Sequence, residues 1–259
     1  MGLIVKNIVK KRYHKKLLNK VSLRIKSNSV TLLSGSVHSG RTTLFHIIAG
    51  VLKPNRGSIR YPKGEVAIAL EKPQWAVRFD TVMDIIKQYA LLYPSLNREL
   101  VAGYIPKIIN ENKQYQRLKE REKLFLINAL TLFSGASVLL FDEPFHYMND
   151  EEKMHFIILL NKIARDGAVA IISVFGTNDL VEFVDDFIVM REGVVTYAGS
   201  VKEALVKHRI VRSMEGLKGE LIGPLIDSFL VKTGEAAGWE PTLEEVLHAY
   251  THAAITDKK

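Results

Sequence analysis

GSVHSGRTT, residues 35 to 43, is the stretch on which the reading of this chain turns. A turn that holds a phosphate aims consecutive backbone N–H groups at one anion. Glycines permit the dihedrals, and a helix start adds the positive end of its dipole. Gly35 and Gly40 stand at the required spacing, with Ser36, His38 and Ser39 between them. Upstream, SVTLLSG (29 to 35) reads as a buried strand. Downstream, RTTLFHIIAGVL (41 to 52) places Leu44, Ile47, Ile48 and Val51 on one helical face and stops near Pro54. Strand, glycine loop and helix are the context in which this motif means phosphate binding. Thr42 is placed to ligate Mg2+, and Thr43 to cap the helix and touch a phosphate. Arg41 stands where such loops carry lysine; it keeps the charge, but as a longer planar fork.

A second element answers the first. Phosphoryl transfer to water needs a carboxylate near the metal and a group that orients the water. In SVLLFDEP (137 to 144), Asp142 closes an apolar run and can hold the metal, and Glu143 can act as the base. Adjacent acids at a strand end also start helices. Paired with a phosphate loop about 100 residues upstream, the functional reading is the stronger one.

The remaining pattern alternates strands and helices. Residues 2 to 9 and 21 to 26 read as strands joined by the basic hairpin KKRYHKK (10 to 16), and 57 to 61 and 65 to 70 as further strands. Residues 81 to 133 are mostly helical, 152 to 164 form an amphipathic helix, and AVAIISVF (168 to 175) is a buried strand. DFIVMREGVVTYAG (186 to 199) is a hairpin turning at Glu192-Gly193. Such alternation implies a parallel sheet with helices on both faces. Beyond 200 the expectation is a helical extension: VKEALVKHRIVRSM as helix, a glycine-rich stretch from 216 to 240, and a closing helix capped by Thr242 and Glu245. His248 and His252, four apart on that helix, read as a polar face.

The chain of 259 residues has no cysteine, which excludes disulfides and thiolate metal sites. No apolar run reaches the ~18 residues of a membrane span. The net charge of +8 favours an acidic surface, either nucleic acid or the inner membrane face. Simple solubilisation accounts for the charge equally well, and a nucleic-acid partner is not expected.

These motifs, in this order, resemble the ATP-binding subunits of ABC transporters over roughly residues 2 to 200. The resemblance implies a P-loop fold of mixed sheet, an antiparallel edge subdomain, a shortened helical subdomain near 81 to 125, and an extension over 201 to 259. It implies ATP and Mg2+ as ligands, with Tyr13 stacking on adenine and Glu71 at the loop that senses the γ-phosphate, beside the metal. Glu71, YALLYP and PTLEEVL look like the exporter type similar to bacitracin-immunity ATPases. The partners implied are an integral membrane permease and a second ATPase subunit, on the cytoplasmic face of the membrane.

Three positions depart from the family pattern. The serine-glycine-glycine signature that clamps the opposite subunit's γ-phosphate is replaced by YQRLKEREK (115 to 123), with no glycine and no serine. The switch histidine is replaced by Phe175 or its neighbours. In FHYMND, Asn149 takes the usual aspartate position. The self-contained half of a site therefore remains, and the half lent to a partner is degenerate, which implies pairing with an intact subunit. A catalytically inactive, regulatory subunit is the alternative.

Overall fold

The structure is a computed structural model and describes residues 2–70, 81–175, 183–213, 215, 217–235 and 238–252. Its centre is a six-stranded sheet ordered β5-β6-β7-β3-β8-β9, built from β3 (Ser29–Gly35), β5 (Val66–Ala69), β6 (Val138–Asp142), β7 (Val169–Phe175), β8 (Asp186–Arg191) and β9 (Val194–Ser200). The first five strands in that order run parallel, and only β9 is antiparallel, joined to β8 by the expected turn at Glu192-Gly193. β3 and β6 are buried along their whole length, which is why both read as continuous apolar runs.

Register positions the site. Gly35 lies opposite Phe175, and Asp142 lies opposite Ser173. The carboxyl ends of β3, β6 and β7 therefore open at one edge, where parallel sheets receive ligands. Behind that edge α1 (Arg41–Ile48) buries Leu44, Phe45, Ile47 and Ile48 in the core, each worth roughly 1.5–3 kcal/mol. The helix is shorter than the expected 41 to 52.

The N-terminal strands form the expected antiparallel sheet, ordered β2-β1-β4, from β1 (Leu3–Arg12), β2 (Lys15–Ile25) and β4 (Arg56–Arg60). The helical expectation over 81 to 133 resolves into α2 (Val82–Leu92), α3 (Arg98–Tyr104) and α4 (Glu120–Leu132). α2 begins at a capping box: the Asp84 N–H donates to the Thr81 hydroxyl at 3.2 Å, and the Thr81 N–H donates to the Asp84 carboxylate at 3.0 Å. α5 (Asp150–Arg165) covers the sheet with Phe156, Ile157, Leu160 and Ala164.

The C-terminal segment corrects the expectation of a helical extension. α6 (Val201–Lys207) stops seven residues in, and β10 (His208–Val211), β11 (Glu220–Pro224) and β12 (Phe229–Lys232) form an antiparallel sheet ordered β10-β12-β11 before α7 (Leu243–His252). The cause is non-local. Ile210 and Val211 pair with Leu230 and Phe229, and these β-branched-to-apolar pairs across strands outweigh the helical periodicity of VKEALVKHRIV. Thr242 and Glu245 cap α7 as expected, with the Glu245 N–H donating to the Thr242 hydroxyl at 3.3 Å. On α7 the His248 and His252 rings stack at 4.3 Å.

His208 anchors this segment. It is 1% exposed; its Nδ1–H donates to the Ala204 carbonyl at 2.7 Å, and its Nε2 accepts from the Tyr250 hydroxyl at 2.9 Å. Burial holds the imidazole below the ordinary histidine value. The unfolded chain therefore binds more protons than the folded one as pH falls. The stabilisation is complete above about pH 6.5 and is lost as pH drops through that value towards the folded pKa. Thermal melts near pH 7.5 and near pH 5.5 should show a larger acid loss for the wild type than for His208→Gln. Equal losses would remove His208 as the cause.

Candidate functional site

Between β3 and α1 the chain wraps tightly. His38 adopts φ 63° and Gly40 φ 100°, and the Ser39 N–H donates to the Ser36 carbonyl at 3.1 Å. Gly40 is required twice over. Its φ lies in the left-handed region, and a Cβ there would sit 2.7 Å from Leu18 Cδ2 and 2.9 Å from the Leu17 carbonyl. Gly193, at the β8–β9 turn, closes the same seat. Its N–H donates to the Ser39 carbonyl at 2.9 Å, and its carbonyl accepts from the Asn19 N–H at 2.8 Å. The Ser39 Oγ is buried and, among the described residues, has no hydrogen-bond partner, the condition of a loop hydroxyl that an incoming anion can satisfy. Over the loop lies a cleft of about 600 Å³ whose lining includes Lys15, Lys16, His38, Arg41 and Thr43. Ser36 lines it as well. Tyr13 sits at the tip of the β1–β2 hairpin, 90% exposed.

Thr42 and Asp142, 100 residues apart, meet: the Thr42 hydroxyl donates to Asp142 Oδ2 at 2.8 Å. The other carboxylate oxygen accepts from the Ser173 hydroxyl. Asp142 is 5% exposed and Ser173 fully buried. Sequence reasoning missed Ser173, although a lone hydroxyl inside the apolar run AVAIISVF is a signal, since a buried polar group needs a partner. Glu71 lies outside the described residues.

Glu143 and Arg41 also meet. The Arg41 Nη1 donates to Glu143 Oε1 at 2.9 Å and to the Val174 carbonyl. The Phe175 N–H donates to Glu143 Oε2 at 3.0 Å. Glu143 has φ 50°, an uncommon conformation for a residue with a side chain, with its N–H bonded to the Ser173 carbonyl at 3.1 Å. Burial pushes its carboxyl above the ordinary value, with Arg41 and the Phe175 N–H pulling against that. The arrangement thus offers a glycine-bounded loop with an unpartnered buried hydroxyl, two hard oxygen donors side by side, a cation and a separate carboxylate.

A family model described as ABC transporter matches residues 18–146, which hold the loop and both acids. The chain belongs to the ABC transporter family of ATP-binding domains. The ribose import ATP-binding protein RbsA of Caldanaerobacter subterraneus subsp. tengcongensis is 26% identical over 82% of this chain and 47% of its own length. The energy-coupling factor transporter ATP-binding protein EcfA1 of Mycoplasmopsis synoviae is 24% identical over 88% of this chain and 90% of its own length. The chain spans about half the length of the ribose-import relatives it matches. Among solved structures, an ATP-binding subunit of an ABC transporter superposes with a TM-score of 0.68 at 16% identity, over 79% of this chain and 92% of that one. The dimeric cassette MJ0796 with ADP and Pi gives 0.65 at 17%, over 77% and 98%. The fold expectation of an ABC-type mixed sheet with antiparallel strands holds. The relatives quoted carry import and energy-coupling names, not export ones.

Residues 115–123, where the sequence reading expects the family's signature, lead into α4. Residues 115–117 form a 3-10 turn, and α4 begins at Glu120. The Lys119 N–H donates to the Glu122 carboxylate at 2.7 Å, and the Lys113 ammonium donates to both oxygens of Glu122 at 2.8 Å. A carboxylate from the helix itself thus answers the positive end of the dipole. Asn149 caps α5, its side-chain oxygen accepting from the Glu152 N–H at 2.8 Å. Phe175 is exposed and contributes its backbone N–H to the site.

Proposed function

We propose that this chain is the ATP-binding subunit of an ABC transporter. It holds MgATP at its own loop and works in a two-subunit sandwich whose closure moves an integral membrane permease. The observation that carries this is the contact of Thr42 with Asp142 at the open edge of the sheet, directly beneath the Gly35–Thr43 loop. Two hard oxygen donors 2.8 Å apart next to an N–H cradle fit Mg2+, with Glu71 as a third candidate oxygen. When bound, the ion would neutralise charge on the β- and γ-phosphates. The loop N–H groups, with the hydroxyls of Ser36, Ser39 and Thr43, take the phosphate oxygens, His38 flanks them, and Tyr13 stacks on adenine. Arg41 meets the terminal phosphates, and Glu143 orients and deprotonates the attacking water.

At the start of α4 the Lys119 N–H is already taken by Glu122 and the stretch 115–123 has no glycine to bring backbone amides close to a phosphate, so this chain gives a poor clamp to a nucleotide held by its partner. Its own nucleotide still depends on the signature supplied across the interface. A heteromer with an intact ATPase subunit, on the cytoplasmic face of the membrane, is the arrangement these features support. No helix among the described residues is long and apolar enough to cross a membrane.

The test is nucleotide binding by the purified chain. ATP should bind more tightly with Mg2+ than without it, and Asp142→Asn should erase most of that difference. Tyr13→Ala should weaken ATP about tenfold, the scale of one base–aromatic stack, with an unchanged melting temperature because the ring is solvent-exposed. ATP binding that is blind to both Mg2+ and Asp142 would defeat the proposal.

A further inference from the structure

Arg41 carries more of this site than a lysine can. It opens α1, yet its guanidinium reaches the ends of two other strands: Glu143 just past β6 at 2.9 Å, and the Val174 carbonyl on β7. Its side chain is 11% exposed, and its central carbon lies 6.0 Å from the Phe175 ring centroid. Glu143 is held from both sides, Oε1 by Arg41 and Oε2 by the Phe175 N–H. The cation suited to a terminal phosphate and the acid suited to water are therefore committed to each other. Both bonds come from one terminal nitrogen, Nη1, which stands one atom farther from the backbone than a lysine ammonium would, so the longer side chain is what reaches both acceptors.

We propose that Arg41 makes the site discriminate by phosphate number: it holds Glu143 against β7 until a terminal γ-phosphate draws the guanidinium away, so a triphosphate frees Glu143 and a diphosphate leaves it held. This rests on the reading of residues 35 to 43 as a nucleotide loop. The γ-phosphate competes because its charge exceeds that of one carboxylate. The Phe175 N–H, bonded to the same carboxylate, reports the release.

The experiment is a double-mutant cycle in binding, using a non-hydrolysable ATP analogue and ADP with the full chain and the variants Glu143→Gln, Arg41→Lys and both together. Glu143→Gln removes the competing charge. The analogue should then bind about tenfold tighter, the worth of one charge-assisted hydrogen bond, with ADP changed less than about twofold. In the Arg41→Lys background the effect of Glu143→Gln should shrink below about twofold. Amide exchange at Phe175 should accelerate with the analogue and not with ADP. Equal effects on the two nucleotides, an undiminished effect in the Arg41→Lys background, or an unmoved Phe175 amide overturns the proposal while leaving the nucleotide site standing. Failure of the wild type to bind either nucleotide overturns both.

Discussion

Gly40→Ala is expected to cost about 3 kcal/mol of stability and to abolish nucleotide binding, whereas Gly50→Ala should cost about 1 kcal/mol and leave binding intact. Both glycines have positive φ, 100° and 74°, so both substitutions incur backbone strain. The difference is space. A Cβ at Gly50 meets nothing within 4 Å, while one at Gly40 presses on the Leu17 carbonyl and on Leu18. Leu18 is fully buried, so β2 cannot yield without opening the core of the N-terminal sheet. The strain also reaches the loop, because Gly40 is the turn from Ser39 into the first N–H groups of α1. Urea denaturation of the two variants beside the wild type gives the stabilities, and nucleotide titration gives the binding. Equal costs at the two positions would show that φ alone, and not the Leu17–Leu18 seat, dictates glycine here.

Glu143→Gln should separate turnover from folding. With the partner subunit present, ATP hydrolysis at this site is expected to fall about 100-fold or more, the usual loss when a general base is removed. Stability should change little. Burial pushes the Glu143 carboxyl above its ordinary value, which a neutral amide relieves, while the lost ion pair with Arg41 and an NH2 facing a donor act the other way. The amide can still meet one donor with its oxygen. Phosphate release by the assembled complex, with the partner's own base also disabled, isolates this site. A wild-type rate no higher than that of Glu143→Gln would leave a subunit that binds nucleotide without cutting it.

The parts of this molecule legible in its sequence are those fixed by local pattern. SVTLLSG is the strand Ser29–Gly35, and the hairpin turn falls at Glu192-Gly193, because glycine and a run of β-branched residues specify those conformations within a few positions. Thr42 and Asp142 were each nameable from their own motifs. What could not be read is pairing across the chain. His208–Val211 continues a helical periodicity, and its distant partners, Phe229–Lys232 and Trp239, make it a strand. Arg41 reads as a weakened lysine, whereas in space it is tied to Glu143 and Val174. The charged stretch 115–123 revealed that glycines are missing there. It did not reveal that Glu122 occupies the helix start in their place.

The contacts that join the site span 100 residues from Thr42 to Asp142, 102 from Arg41 to Glu143 and 133 from Arg41 to Val174. Pairings this distant form late, because the entropy of closing long loops must be overcome before they contribute. No early fragment of the chain holds the whole constellation: a nascent chain that has passed α1 still lacks Asp142, and one that has passed Asp142 still lacks β7. A bound nucleotide therefore stabilises only molecules that have been synthesised beyond Gly193 and have docked β3 between β7 and β8. Ligand binding in this chain doubles as a readout of an assembled β6-β7-β3-β8 core, and nucleotide-dependent protease resistance should appear abruptly with chain length, not gradually.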